Sequence, residues 1–330
     1  MGLHTRFESF PPPQPSGVEI LDLRHFSAQH VRPLLEYETL VWGRLMQWDY
    51  RPSADMILRY IESKILPGYA AVEYGRVGGY AFFVYEGSKG VIGDLFADNA
   101  IRLDGDTVER RLAVHVIDTL QQSPGIHRIE AQLLPHESGA LSAPFLEQGF
   151  RQFPRLFMTL PLKIGPSVKV SPFADVEFRR WSEQDFQPAA AVITAAYQEH
   201  IDSEINDQYR TLGGSLRFLN NIVRFPGCGV FDSNASFVAI HRTTRSLVGL
   251  LLCSRVRDDV GHVTQVCLLP EHRGRNIGQS LIGLCTQELR NRNFSALSLT
   301  VTEGNRKAVE LYLHLNFSTQ RKFDAFVWEG

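Results

Sequence analysis

The order of segments in residues 17–162 is repeated in residues 176–330, and this internal repeat restricts the fold more than any other feature of the chain. Each block opens with a short strand-like run, Val18 to Leu23 or Val176 to Arg179, and continues through an amphipathic helical region with aromatic residues. Strands joined by turns follow: Tyr69 to Tyr74 and Gly79 to Tyr85 around Gly75–Arg76, Ser236 to His241 and Leu247 to Val256 around a Thr-rich turn. A further strand comes next (Val91 to Phe96 or His262 to Leu268). Then come a long helix over about 107–122 or 277–292 and another strand, Arg128 to Leu134 or Ala296 to Thr302. The endings also correspond, FLEQGF at 145–150 against YLHLNF at 312–317. The pattern predicts two consecutive copies of one mixed α/β (α+β) fold, separated by the proline-bearing linker KIGPSVKVSPFAD at 163–175.

Size and charge narrow the class. At 330 residues the chain is too long for one ordinary core and suits two domains. Residues 1–16, with Pro11, Pro12, Pro13 and Pro15 and few apolar side chains, read as a flexible leader. There are 34 basic against 36 acidic residues, without the basic surplus that a general nucleic-acid or anionic-membrane binder needs. The longest apolar stretches, such as Leu247 to Cys253, fall well short of the roughly 20 residues of a bilayer span. No secretory signal is visible. Cys228, Cys253, Cys267 and Cys285 form no C-x-x-C pair, so neither a disulfide framework nor a zinc site is expected. The expectation is a cytoplasmic protein with no metal and no nucleic-acid or membrane partner.

One strand–turn–helix junction carries chemistry. PEHRGRNIGQSLI at 270–282 follows an apolar strand and opens an amphipathic helix, a geometry whose free N–H groups and helix dipole receive phosphate. Gly274 and Gly278 allow close backbone approach, Asn276 tolerates a left-handed conformation, and Arg273 and Arg275 add positive charge. Alone, such a run is also what an ordinary turn with solvated arginines looks like. A second segment, NRKAVELYLHLNF at 305–317, begins where the strand Ala296 to Thr302 ends. Asn305 fits a helix N-cap, and Ala308, Leu311 and Tyr312 then share a helical face.

Together the two segments resemble the GCN5-related N-acetyltransferase (GNAT) family. The first is similar to that family's acyl-CoA motif, Gln/Arg-x-x-Gly-x-Gly/Ala, with Arg273, Asn276 and Gly278 at its key positions. The second is similar to its closing motif, Asn-x-x-Ala-x-x-Leu-Tyr-x-x-x-Gly-Phe, with Asn316 in place of glycine. The resemblance implies two consecutive GNAT-like domains, each a mixed, mostly antiparallel sheet flanked by helices: a degenerate one over 17–162 and a catalytic one over 176–330. It implies acetyl-CoA as cosubstrate and direct acetyl transfer to a primary amine. Val266 and Leu268 would pair with the pantetheine arm, an N–H near Leu268 would polarise the thioester carbonyl, and the backbone of Arg273, Gly274, Arg275, Asn276, Ile277 and Gly278 would hold the pyrophosphate. Asn305 would contact the cofactor, and Tyr312 would protonate the departing thiolate.

The base stays open at this level. Some members of the family carry a glutamate eleven residues before the Gln/Arg of the phosphate loop, and here that count lands on His262. His262 is therefore either a base or a strand-entrance histidine satisfied by Asp258 or Asp259, with Glu303 a weaker candidate. The stretch 197–210 groups Glu199, His200, Asp202, Glu204, Asn206, Asp207 and Tyr209, either as an acceptor pocket or as a solvated surface. In the first block, ADNAIRLDGD at 97–106 sets Asp98, Asp104 and Asp106 where phosphate would have to bind, and Phe145 replaces the tyrosine. A small-molecule amine is the expected acceptor, with a protein N-terminus or lysine, or a non-catalytic acyl-CoA sensor, as the alternatives. A homodimer formed by exchange of terminal strands is compatible with the pattern.

Overall fold

The computed structural model describes residues 17–98, 107–224 and 229–330. In the N-terminal half the elements are β1 (Glu19–Asp22), α1 (Ala28–Met46), α2 (Arg51–Glu62), β2 (Gly68–Glu73), β3 (Arg76–Glu86), β4 (Lys89–Ala97), α3 (Val108–Gln121), β5 (Arg128–Gln132), α4 (Ser142–Glu147) and β6 (Arg151–Pro161). The C-terminal half opens with β7 (Val176–Arg180), α5 (Phe186–Ala196), α6 (Ile201–Ile205), α7 (Leu212–Arg224), β8 (Val230–Phe231), β9 (Phe237–His241) and β10 (Leu247–Arg257). It ends with β11 (Val260–Leu268), α8 (Ile277–Asn291), β12 (Ala296–Thr302), α9 (Arg306–His314) and β13 (Ser318–Glu329).

The repeat is physical as well as sequential. In each half two strands pair in parallel, β4 with β5 and β11 with β12, and the neighbouring pairs are antiparallel. Gly90 and Gly261 occupy the second register position of these parallel pairs. A Cβ at either would lie 2.6 Å from Leu120 Cδ2 or 2.8 Å from Leu289 Cδ1, so each glycine admits a leucine of the helix that follows. The two turns that close α4 and α9 also match. Phe150 N–H donates to the Phe145 carbonyl at 3.0 Å and Phe317 N–H to the Tyr312 carbonyl at 2.9 Å. Gly149 and Asn316 both have positive φ, 81° and 66°, in these turns. Asparagine thus supplies the left-handed conformation expected of it.

The two halves share one sheet, in the order β1-β2-β3-β4-β5-β13-β6-β12-β11-β10-β9-β7, with β8 paired to β10. The terminal strands are exchanged within the chain. β6 lies between β13 and β12 of the other half, and β13 lies between β5 and β6. β10 is buried along most of its length because α8 covers one face and α5 the other. Its run LVGLLLC is therefore continuously apolar rather than alternating.

A charged network ties the halves together beside the exchanged strands. Lys89 Nζ meets Glu130 at 3.1 Å and Asp207 at 2.6 Å, while Arg128 meets Glu130 at 2.6 Å and donates to the Glu204 carbonyl at 2.6 Å. Burial pulls the Lys89 ammonium down, but Glu130, Asp207 and Glu86 outweigh it and hold the group above its usual range. No helix among the described residues is long and apolar enough to cross a membrane.

Candidate active site

After Val263↔Leu299 the pairing of β11 with β12 stops, although β11 runs on to Leu268 and β12 to Thr302. The two strands splay into a V. Leu269 N–H donates across to the Val248 carbonyl at 2.9 Å on the β10 side. By the two-residue alternation of a strand, Val266 and Leu268 turn their backbone groups toward the open V.

At the far end of β11 a short 3₁₀ turn leads into α8. Gly274 has φ 74° and Asn276 φ 63°, and Ser280 N–H closes the first helical bond to the Asn276 carbonyl at 3.0 Å. Among the described residues, no backbone or side-chain acceptor takes the N–H groups of residues 274 to 279. A Cβ at Gly274 would meet nothing within 4 Å, so this side of the loop is open. These amides cap a 15-residue helix and make an anion cradle of the kind an adenine nucleotide diphosphate requires.

The arginine side chains depart from expectation. Arg273 donates to the Ala196 carbonyl at the end of α5 and, at 3.3 Å, to the Leu268 carbonyl. It satisfies an orphan carbonyl of that helix and straps the loop to it. Arg275 Nη2 reaches both carboxylate oxygens of Asp175, at 2.6 and 2.8 Å, so its charge is shared with the linker. The backbone, more than either guanidinium, forms the cradle.

On the facing side of the V, α9 and the loop around α6 converge. Asn305 caps α9 through Ala308 N–H and its amide nitrogen lies 3.3 Å from His200 Nε2. His200 Nδ1 is 3.7 Å from the Asp202 carboxylate, which accepts a hydrogen bond from Thr302 Oγ1. Tyr312 is nearly buried. Burial, and then the Asp202 carboxylate, push its phenol above the ordinary range, so it stays protonated at neutral pH. Burial lowers His200, Asp202 counteracts this in part, and Arg273 lowers it further, leaving a neutral imidazole. The Tyr197 hydroxyl donates to Gln265 Oε1 at 3.0 Å, and its ring stacks on Tyr209 at 4.3 Å. Beside Tyr197, a cavity of about 450 Å³ is lined by Thr194, Glu199, Ser203, Arg210 and Leu212.

His262 is a correction. It is 4% exposed, its ring is packed edge-on to Trp48 at 4.8 Å and parallel to Phe157 at 6.2 Å, and its Nδ1 is 2.9 Å from Ser298 Oγ. Burial, and then Arg155, lower its pKa to about 3. Side chains of the N-terminal half close over it, so no substrate proton reaches it. Its partner is neither Asp258 nor Asp259. Glu303 pairs with Lys322 at 2.7 Å and is also outside the cluster.

The acidic stretch 197–210 divides. His200, Asp202 and Tyr209 face the V. Glu204 pairs with Arg151 at 2.9 Å and Asp207 with Lys89, so both are consumed by the contact between the halves. Tyr197, Gln265 and Thr302 are additional members of the cluster. No local motif marks them, although Tyr197 opens the polar stretch already singled out.

The N-terminal half has the same splay between β4 and β5, and there His136 Nε2 lies 2.7 Å from the Leu95 carbonyl. Fully buried Glu38 accepts from Trp42 Nε1 at 3.0 Å and from the Tyr80 hydroxyl at 2.7 Å, and Tyr50 donates to Asp94. Burial, and then the Asp94 charge, raise the Glu38 carboxyl well above the usual range. Phe145, in the position of Tyr312, is fully buried and stacked on Phe326 at 4.1 Å. Asp98 pairs with Arg76 at 3.0 Å, and Asp104 and Asp106 lie outside the described residues.

Residues 194–317 match the model of the acetyltransferase (GNAT) family. This segment belongs to the GNAT acetyltransferase family. Proteins of the family typically use acetyl-CoA. Solved structures extend the likeness in fold to nearly the whole chain. A GCN5-related N-acetyltransferase from Sphaerobacter thermophilus is similar at TM-score 0.62 and 17% identity, over 88% of this chain and 91% of that one. A tandem GNAT protein from the clavulanic acid biosynthesis pathway is similar at TM-score 0.58 and 16% identity, over 95% and 98%. A GCN5-related glucosamine N-acetyltransferase region of a fungal GH3 β-N-acetylglucosaminidase reaches TM-score 0.64 at 16% identity, over 96% of this chain and 38% of that one. No curated protein sequence matches the chain significantly. At these identities the structures speak for the tandem GNAT fold, which both halves share.

Proposed function

We propose that the chain is an acetyl-CoA-dependent N-acetyltransferase whose C-terminal half acts on a small-molecule amine. The observation that carries this reading is Tyr312, a protonated phenol beside Asp202, in a V whose other end leads to a run of free amides. Acetyl-CoA supplies an activated acetyl thioester. The amides of residues 274–279 hold its pyrophosphate, and the open edge of Val266 and Leu268 holds the extended arm and donates an N–H to the thioester carbonyl. Asp202 attracts the acceptor ammonium. His200, kept neutral, accepts the Asp202 N–H at Nδ1, and it takes the ammonium proton there by exchanging that bond for the Asp202 carboxylate, so that the amine nitrogen attacks the carbonyl carbon. The carbon–sulfur bond breaks, Tyr312 delivers its proton to the sulfur, and the surplus proton of the new amide nitrogen returns to the tyrosinate. The N-terminal half binds no nucleotide, because His136 takes the Leu95 carbonyl on the edge of its V, and serves as a wall of the acceptor side.

Isothermal titration with acetyl-CoA tests the reading, with one site per chain expected. Gly278→Glu should weaken binding about 100-fold by setting a carboxylate among the phosphate-binding amides. The nearest atom to a Cβ there is Leu268 Cδ1 at 3.7 Å, so the fold tolerates the change. Two sites would overturn the role given to the N-terminal half, and no heat and no competition by CoA would overturn the whole reading.

The pH profile separates the two histidines. Only neutral His200 accepts a proton, so kcat/KM should fall as pH drops through a value below the ordinary 6.5. His200→Gln should lower the rate and remove that acid limb, whereas His262→Leu should leave the limb in place. A limb that survives His200→Gln assigns the base elsewhere.

A further inference from the structure

The acceptor side of the V carries a positive charge that comes from the other half of the chain. Arg155 lies on β6, and its partner in the β6–β12 register is Thr302, whose hydroxyl holds Asp202. Directly opposed residues of an antiparallel pair stand on the same face, so Arg155 and Thr302 are side by side. Arg155 Nη1 donates to Gln132 Oε1 at 2.5 Å, Nη2 reaches Thr300 Oγ1 at 3.4 Å, and the guanidinium lies 5.9 Å from the Phe323 ring centroid. The nearby Arg128, Arg151 and Arg210 each hold a carboxylate. Among the described residues Arg155 holds none, and its Nε is buried without an acceptor.

A second idle donor lies on the same face. Gln265 is 5% exposed, its Oε1 is taken by Tyr197, and its Nε2 is buried with no acceptor among the described residues. Burial raises the Tyr209 phenol, and Asp202 and Arg155 then push it in opposite directions, so the two charges flank one ring. Asp202 and Arg155 are not paired with each other. A simple amine would satisfy Asp202 and leave the guanidinium alone, and a neutral polyol would satisfy neither. Only a ligand with both charges completes the set, and a planar carboxylate matches the guanidinium fork.

We infer that the acceptor is an amino-acid-like amine, with Asp202 receiving its ammonium and Arg155, assisted by Gln265, receiving a carboxylate on the same molecule. This rests on the acetyltransfer reading above. It also gives the nucleotide-free half a task, because Arg155 is a specificity residue supplied through the exchanged strand.

The test uses the full chain and follows thiol release from acetyl-CoA. The panel consists of α-amino acids, the primary amide and the decarboxylated amine of each, and phosphoethanolamine as a phosphate-bearing control. The acids should exceed their analogues by about 50-fold or more in kcat/KM. Arg155→Met should raise the KM for the acid by about 30-fold while leaving the amide and the decarboxylated amine within about two-fold. Arg155→Lys should recover part of the loss, and the Kd for acetyl-CoA and the thermal melt should be unchanged in both variants. Analogues used as well as the acids, phosphoethanolamine preferred, or a preference for acids that survives Arg155→Met would each overturn the inference. A chain that binds acetyl-CoA but neither binds any acid when saturated with CoA nor acetylates any when saturated with acetyl-CoA overturns it too, and leaves the nucleotide site standing. A chain that binds no acetyl-CoA removes the reading beneath it as well.

Discussion

Replacing Tyr312 with phenylalanine is expected to lower kcat about 10²- to 10³-fold while the KM for acetyl-CoA stays within about two-fold. The ring is packed against Phe317 at 5.8 Å and belongs to the core beneath α8 and α9, so its shape has a structural job that phenylalanine performs equally well. The hydroxyl is different. Burial and Asp202 hold it protonated across the usable pH range, which suits a group whose task is to give a proton to a leaving thiolate. Losing it removes an interaction needed only as the carbon–sulfur bond breaks, so kcat and kcat/KM should fall together. Loss of one hydroxyl should cost about 1 kcal/mol of stability or less, and a thermal melt controls for this. Unchanged thiol release at every pH would sink the assignment. An unaltered chain that binds acetyl-CoA but releases no thiol with any amine would instead favour a binding protein without turnover, since binding alone requires no phenol.

The isolated N-terminal half, residues 1–162, is expected not to fold cooperatively, and separate expression of 1–162 and 163–330 in one cell should restore the native assembly. β6 finds both of its partners, β12 and β13, in the other half. β5 would keep only β4, with its other edge bare. The core of the N-terminal half would lose Phe326, which is 1% exposed and stacked on Phe145. Deleting one buried phenylalanine ring typically costs about 3–5 kcal/mol, a large part of the roughly 5–15 kcal/mol that holds a domain folded. Buried Lys89 and Arg128 would also lose Asp207 and the Glu204 carbonyl. Circular dichroism melts and gel filtration of the fragment measure this directly. A sharp, reversible transition in the 1–162 fragment would show that strand exchange is dispensable.

The legible parts of this protein are the local ones. Strand and helix limits follow hydrophobic periodicity, and β12 runs over Ala296–Thr302 as the pattern predicts. The cradle at 274–278 could be read because glycine and asparagine mark left-handed backbone by their own stereochemistry, before any tertiary contact. The correspondence of Tyr312 with Phe145 was visible in the same way. His262 shows where this fails. Its spacing from Arg273 is correct for a base, but Trp48, more than 200 residues away in the chain, closes over it, and no periodicity announces that contact.

The sequence by itself determined the repeat, the two GNAT-like halves, the anion cradle and the phenol, because each depends on residues within one turn or one strand. Only the tertiary structure decided how the halves meet. It exchanged β6 and β13, spent Glu204 and Asp207 on the contact between halves while leaving His200 and Asp202 in the V, and set Arg155 opposite Thr302. These outcomes depend on strand register between segments some 150 residues apart, which is set by burying two faces of one sheet at once.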